Sequence, residues 1–468
     1  MEARRAILEL ALFRPKPMTL LDDAVARYHK ALESPALADL AWAKSIQEKM
    51  AANNLLPNGR PVCPVWRPHF LSRRQYEAMV KAAETLYSAI DRVRDMALAT
   101  PALMNRLEML PAEKMLATVD PGYPHLAVTS MLDTQLVNGS FRFLEAETAA
   151  PTGVAYIEAL NEVFYDAPPM KELRKKYKIT KAPGGMKRLM NSMLTAYKVS
   201  GGKKFPRIAI IEFRPPFKDA PTPEHLLMAE HFRRYGYPTE VVTPDQLEYR
   251  NGLLCRGDFG IEIALRRVSA QEFLFRFDLT HPLVRAYREG KVCMVNSFRT
   301  EMVQKKAILS LLTDETVTAK FPAAERKAIT EHIPWTRLVT AGKTNHGRRT
   351  VDLQEFILHH REKLVLKPND PTAELHSIRG WETEPPAWER ALKTALLNPY
   401  VVQERVEVVR AAFPVYQFGK MELRQMEVEV HPHIHLGKVD GCSAQVADAA
   451  STFSTLSGQA PVFLIESA

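Results

Sequence analysis

Between residues 207 and 268 the chain reads RIAIIEF, then PEHLLMAEHFRRYG, then TEVVTP, and after a turn-rich stretch IEIALRRV. The first and last runs carry apolar residues at successive positions, so neither has a wet face, and such strands belong inside a sheet covered on both sides. The segment between them has helical spacing and is closed by Gly236, a residue type that ends helices in a left-handed turn. Strand, helix, strand in this order predicts an open α/β unit with parallel strands, which rules out an all-helical bundle or an antiparallel sandwich for this part.

The rest of the chain is arranged around that unit. Up to about residue 120 the spacing is helical, as in LDDAVARYHKALESPALADLAWAKSIQEKM. HLAVTSMLDTQLV and SFRFLEAE then alternate like strands, with Asn138-Gly139 between them as a hairpin turn. Residues 156–164 read as a helix. Pro168-Pro169, the basic run KELRKKYKITK and the glycines at 184 and 201 read as connecting structure. LEYRNGLLC reads as a second hairpin, around Asn251-Gly252. Helices are expected around 301–312 and 323–332, followed by a strand in EKLVLKP. A helix in AWERALKTALL, opened by Pro386, precedes strands in PYVVQERV and PVFLIES. This divides the chain into a helical N-terminal region (1–120), a strand-bearing segment with a connector (121–200), a Rossmann-like domain (201–300) and a second α/β module (301–468).

A chain of 468 residues is long enough for several cores. Its 63 Lys+Arg against 54 Asp+Glu give a net charge of +9, a mild bias towards anionic partners such as nucleotides. The densest basic run has no aromatic ladder beyond Tyr177, so it reads as a solvated helix face or loop and no nucleic-acid partner is expected. Cys63, Cys255, Cys293 and Cys442 are far apart, which suggests neither a zinc ribbon nor a disulfide framework and fits a reducing compartment. The first residues, MEARRAILELALFRPK, read as the start of an amphipathic helix rather than a signal peptide. No apolar stretch reaches the length of a membrane span, so a cytoplasmic protein with no membrane partner is expected. SGGKKF precedes a strand instead of following one and is not a P-loop. Self-association is left open.

The segments LVLKPND, GWE and AWERALKTALLNPYVVQERV, in this order, resemble an ATP-grasp nucleotide site. Upstream, RFLEAETAAPTGVAY is similar to the E-x-N metal-ligand segment of circularly permuted ATP-grasp proteins, the group that holds eukaryotic glutathione synthetase and glutathionylspermidine-synthase-like proteins. IALRRV and NSFRTEMVQKKAILSLLTDE resemble that group's substrate-arginine strand and its first nucleotide-lysine helix. The resemblance runs from about residue 126 to the C-terminus. It implies an ATP-dependent ligase joining a small-molecule or peptide carboxylate to an amine through an acyl phosphate. In that reading Lys305 or Lys306, with Lys367, binds the ATP phosphates, and Gln403, Glu404, Arg405 and Val406 form the adenine hinge. Glu145, Glu147 and Asp370 ligate Mg2+, and Arg266 orients the acceptor. Physically such a site needs cations on phosphate and carboxylates on Mg2+, because phosphoryl transfer is mostly positioning and charge neutralisation.

The chain also departs from the resemblance. After Lys-Pro-Asn-Asp, a glycine-rich phosphate loop is expected, but Pro-Thr-Ala-Glu-Leu-His-Ser stands there. Glu147 replaces an asparagine, and Met131 and Gln445 stand where arginines are usual, which removes bidentate carboxylate binding. A ligase with an unusual substrate and flap is one reading; a catalytically reduced homologue kept for nucleotide or partner binding is another. A third class is a metal-binding protein. His431, His433 and His435 in HPHIHLG share one face of a regular strand with Glu427 and Glu429, and imidazoles ligate zinc or iron.

Overall fold

The computed structural model describes residues 19–35, 37, 40–137, 139–214, 222–370, 375–449 and 456–467. The α/β unit forms as expected. Cys293–Val295, Ile263–Arg266, Ile208–Ile211 and Thr239–Val242 lie in that spatial order and run parallel. Alternate residues of these strands enter two separate cores. Ile208, Ile210, Ile263, Leu265 and Val295 pack with Met190, Met193 and Phe232, while Ala209, Ile211, Ala264 and Met294 pack with Phe273, Leu283 and Phe298. Both faces are covered, which is why the strand sequences do not alternate.

A larger antiparallel sheet is assembled from distant parts of the chain. Its order is Ser457–Ala460, Lys438–Asp448, Lys420–His435, Thr129–Val137 and Ser140–Glu147, and Arg410–Gln417 pairs with the first half of the 16-residue strand. A separate four-stranded sheet has the order Thr336–Leu338, Tyr400–Glu404, Leu364–Pro368, Ile378–Arg379 and is antiparallel throughout. Helices Leu353–His359 and Pro385–Leu397 cover it, burying Ile357, Leu366, Trp388, Tyr400 and Val402 in one cluster.

Four local expectations change. The N-terminal region contains a strand, His69–Ser72, parallel to Val462–Ser467, which in turn pairs with Tyr177–Lys181. The basic run is therefore helix Pro168–Arg174 followed by a strand with Tyr177 and Ile179 inward and Lys178 outward, a period of two that its lysines conceal. The helix expected at 301–312 is two helices, Glu301–Gln304 and Ala307–Leu312, broken at Lys305-Lys306. Lys343–His346 and Arg349–Asp352 form a hairpin that short polar strands gave no sign of. Asn138, half of the first expected hairpin turn, and residues 371–374, half of the loop after Asp370, lie outside the described residues. Among the described residues no helix is long and apolar enough to cross a membrane.

Candidate active site

The strand Leu364–Pro368 buries Leu364 and Leu366 and delivers Lys367 near its end. Beyond Pro368, Asn369 is fully buried and acts as a lock between three parts of the chain. Its backbone N–H donates to Pro399 O at 2.8 Å, and its carbonyl accepts from Lys306 N at 3.1 Å. Its side-chain Oδ1 accepts from Ala307 N at 2.9 Å, and its Nδ2 donates to Leu107 O at 2.9 Å. Asn369 thus caps helix Ala307–Leu312 at the break and sets which lysine faces which way.

At that break the two lysines part. Lys306 Nζ lies 2.8 Å from Glu145 Oε2, and Lys367 Nζ lies 3.7 Å from Glu145 Oε1. Glu145 belongs to the large antiparallel sheet and Lys367 to the four-stranded one, so the cluster joins two sheets. Burial works to raise the Glu145 pKa, but Lys367 and Lys306 outweigh it and hold the carboxyl below its usual range. Gln403 Nε2 donates to Leu144 O at 3.4 Å across the same junction, and within the large sheet Gln135 joins Val409 N (3.1 Å) to Glu429 Oε1 (3.0 Å).

Beside this cluster, on the large sheet, Asp133 stands opposite Glu145. Burial pushes the Asp133 carboxyl up to about 7 against the pull of His431, and Glu145, Glu429 and Glu147 add to the rise. His431 Nε2 lies 3.6 Å from Asp133 Oδ1 and 3.4 Å from Glu429 Oε2. Burial opposes its charge, yet Asp133 and Glu429 hold the imidazole above its ordinary pKa, and His431 in turn keeps Glu429 low despite burial.

Lys305 points the other way. Its ammonium is enclosed, with Glu113 at 2.8 and 2.9 Å and Asp370 Oδ2 at 2.6 Å, so it cannot reach a bound phosphate without leaving both carboxylates. Arg266 is likewise enclosed. Its guanidinium donates to the carbonyls of Val268, Asn296 and Ser297 and to Thr300 Oγ1, and faces Glu301 at 2.6 Å. It has no solvent-facing surface with which to orient an acceptor. The neighbouring Arg267, which sequence reading passed over, donates to Pro151 O (2.7 Å) and His225 Nε2 (3.1 Å). Its Nη2 has no hydrogen-bond partner, with the Glu224 carboxylate 3.7 Å away. An unused buried donor at the end of a parallel strand was detectable in the doubled arginine of IALRRV, but not which arginine carried it.

At the expected hinge, the N–H groups of Glu404 and Arg405 donate to Trp335 O (2.9 Å) and Lys363 O (2.8 Å), closing the strand end, while Gln403 is buried against Thr336. The Glu404 carboxylate faces His346 at 2.9 Å, the Arg405 guanidinium lies 4.5 Å from the Trp381 ring, and Val406 follows half-buried. A cavity of about 690 Å³ borders the outer side of this strand, lined by Arg142, Leu312, Ile333, Trp335, His346 and Glu404. The lysine–carboxylate cluster is not part of its lining.

Of the expected Mg2+ ligands, Glu145 is held by Lys306 and Lys367, and Asp370 by Lys305. Glu147 accepts from Gln304 Nε2 (3.1 Å) and Ala150 N (2.9 Å). Among the described residues no three His, Cys, Asp or Glu side chains converge to hold an ion. The donor chemistry still fits Mg2+, which takes one or two carboxylates and completes its shell with water and phosphate oxygens. The three histidines do not share a site. His431 meets Asp133 and Glu429, and His433 Nε2 meets Ser443 Oγ at 2.9 Å, while neither ring nitrogen of His435 has a partner. Pairing with Thr129–Val137 is regular from Val430 to His435, so the three keep one face of the strand but take separate partners.

No family model matches the chain, and no curated protein does. Among solved structures it is similar to a glutathione synthetase-like effector from Globodera pallida in its apo form, with a TM-score of 0.57 at 11% identity over 92% of this chain and 98% of that one. A putative gamma-glutamylcysteine synthetase from Methylobacillus flagellatus aligns at a TM-score of 0.42 and 11% identity, over 82% of this chain and 86% of that one. The first alignment, which covers nearly all of both chains, shows that this protein shares the α/β fold of that glutathione synthetase-like effector.

Proposed function

We propose that the protein is an ATP-dependent carboxylate–amine ligase. The observation that carries this is the Lys306–Glu145–Lys367 cluster, in which two ammonium groups from separate segments converge on one carboxylate where two sheets meet. Such a cluster can neutralise a triphosphate and keep a carboxylate in reach of its counter-cation. In the reaction a substrate carboxylate oxygen attacks the γ-phosphorus, ADP leaves, and an amine then displaces phosphate from the acyl phosphate. Lys306 and Lys367 hold the phosphates, residues 403–406 the base. Glu145, with Asp370 and Glu147, would hold Mg2+, which supplies charge neutralisation on the phosphates. Neither Arg266 nor Arg267 has a solvent-facing guanidinium, so we assign no arginine to the substrate carboxylate.

The test is calorimetric titration with Mg-ADP, followed by an ADP-release assay over a panel of carboxylate and amine pairs. Binding is expected, and Lys367→Ala should weaken it about ten- to a hundred-fold, the effect of a charge-assisted contact of roughly 1.5–3 kcal/mol. Absence of binding by the unaltered protein at millimolar nucleotide would overturn the reading. A second reading, nucleotide binding without turnover, is favoured by Met131 and Gln445 in place of arginines, and is the outcome if ADP binds but no pair releases it.

A further inference from the structure

Lys305 stands between two carboxylates that differ in how they are held. Glu113, from helix Pro111–Thr118, is fully enclosed, grips the ammonium with both oxygens, and also accepts from Leu110 N at 2.8 Å. Asp370 makes a single 2.6 Å contact through Oδ2, keeps 14% of its side-chain surface exposed, and lies next to the strand that carries Lys367. Two buried carboxylates on one ammonium leave a surplus negative charge, so the second repels the first, and the one with an exposed edge is the one able to leave. If Asp370 turns away, Lys305 keeps its Glu113 partner and no buried charge is stranded. Without Glu113, the same movement would leave an ammonium buried and unpaired.

We propose that Glu113 is a positioning residue for the nucleotide site. It is the permanent counter-ion of Lys305, and by occupying that lysine it releases Asp370 to Mg2+ when the metal–nucleotide arrives. Lys305 is thus a resting post for Asp370 rather than a phosphate ligand. This brings the N-terminal region into the site although it contributes no side chain to the Lys306–Glu145–Lys367 cluster. The inference rests on the ligase reading for the presence of Mg-nucleotide.

The experiment measures ADP affinity by calorimetry over a range of Mg2+ concentrations and in EDTA, for the unaltered protein, Glu113→Gln, Asp370→Asn and the double variant. Gln at 113 keeps the shape but removes the charge, so Asp370 becomes the sole counter-ion of Lys305 and is held there. The Mg2+ concentration for half of the full effect should rise about tenfold or more, the factor that a single lost charge contact commonly makes, while affinity in EDTA stays within about twofold. Asp370→Asn should flatten the Mg2+ dependence, and adding Glu113→Gln to it should change nothing further, because both act through one interaction. A merely structural role for Glu113 would instead weaken ADP equally with and without Mg2+. That result, or an unchanged Mg2+ requirement in Glu113→Gln, overturns the proposal. Should Glu113→Gln fail to fold, Glu113→Asp retains the charge at a shorter reach and is expected to shift the Mg2+ requirement in the same direction by a smaller factor; no shift would count against the proposal. If the unaltered protein binds no ADP in either condition, the ligase reading itself falls, an outcome distinct from normal binding with an unmoved Mg2+ requirement.

Discussion

Lys305 and Lys306 are chemically identical neighbours, and the structure assigns them opposite consequences on replacement. In Lys305→Met the Glu113 carboxylate, with no exposed surface, and Asp370, with 14% of its side chain exposed, lose their shared cation. Removing one partner of a buried ion pair costs about 3–5 kcal/mol, because the remaining charge stays out of water. For a chain of this size that is a fall in the thermal midpoint on the order of 3–5 °C. In Lys306→Met the stranded group is Glu145, whose side chain is one-third exposed and which keeps Lys367 at 3.7 Å. Solvent screens that loss, so the stability change should stay within about 1 kcal/mol, or roughly 1 °C. The binding effects run the other way, with Lys306→Met weakening ADP about ten- to a hundred-fold through loss of one charge-assisted phosphate contact. Scanning calorimetry without ligand gives the first comparison, and ADP titration well below both midpoints gives the second. If Lys305→Met melts within about 1 °C of the unaltered protein, or Lys306→Met titrates like it, the division of roles between the two lysines is wrong.

Two further outcomes follow from buried polar groups. Asn369→Ala would leave Ala307 N–H and Leu107 C=O without partners, at about 1–3 kcal/mol each, so its thermal midpoint should fall as steeply as that of Lys305→Met; a midpoint close to that of the unaltered protein would refute the lock. Burial lowers the His435 pKa from 6.5 to about 4, so the unfolded chain takes up the proton first as pH falls, and stability is lost between about pH 6.5 and 4. Since neither ring nitrogen has a partner, His435→Met should be close to neutral at pH 8 and stabilising at pH 5, read as the change in midpoint between the two; an equal effect at both would show that the folded imidazole takes up its proton as readily as the unfolded one.

The strands around the cluster were legible from their apolar residues, as continuous runs in LVLKP and PYVVQE and as alternation in SFRFLEAE, and Lys367 and Glu145 follow from where the first and last of these end. What periodicity cannot supply is the direction of a residue where the period breaks. Lys305 and Lys306 sit at a helix interruption set by Asn369, more than sixty positions away, and only that contact decides which ammonium joins the cluster. Arg266 ends a strand of the parallel sheet and Arg267 follows it. Successive residues face opposite sides, and that both guanidiniums are enclosed is set by distant partners, which nothing local foretells. The histidines keep the parity that the spacing asserts, but sharing a face does not make them share a partner, and only the neighbouring strands decide what each one meets. Glu113 was beyond reach for another reason. Its partner Lys305 is 192 residues distant, and a lone Glu three residues into a helix already has a sufficient local explanation as a cap for Leu110 N–H. A residue that satisfies a local rule and a long-range role at once leaves no local inconsistency to notice, so it is found only when the fold brings its second partner to it.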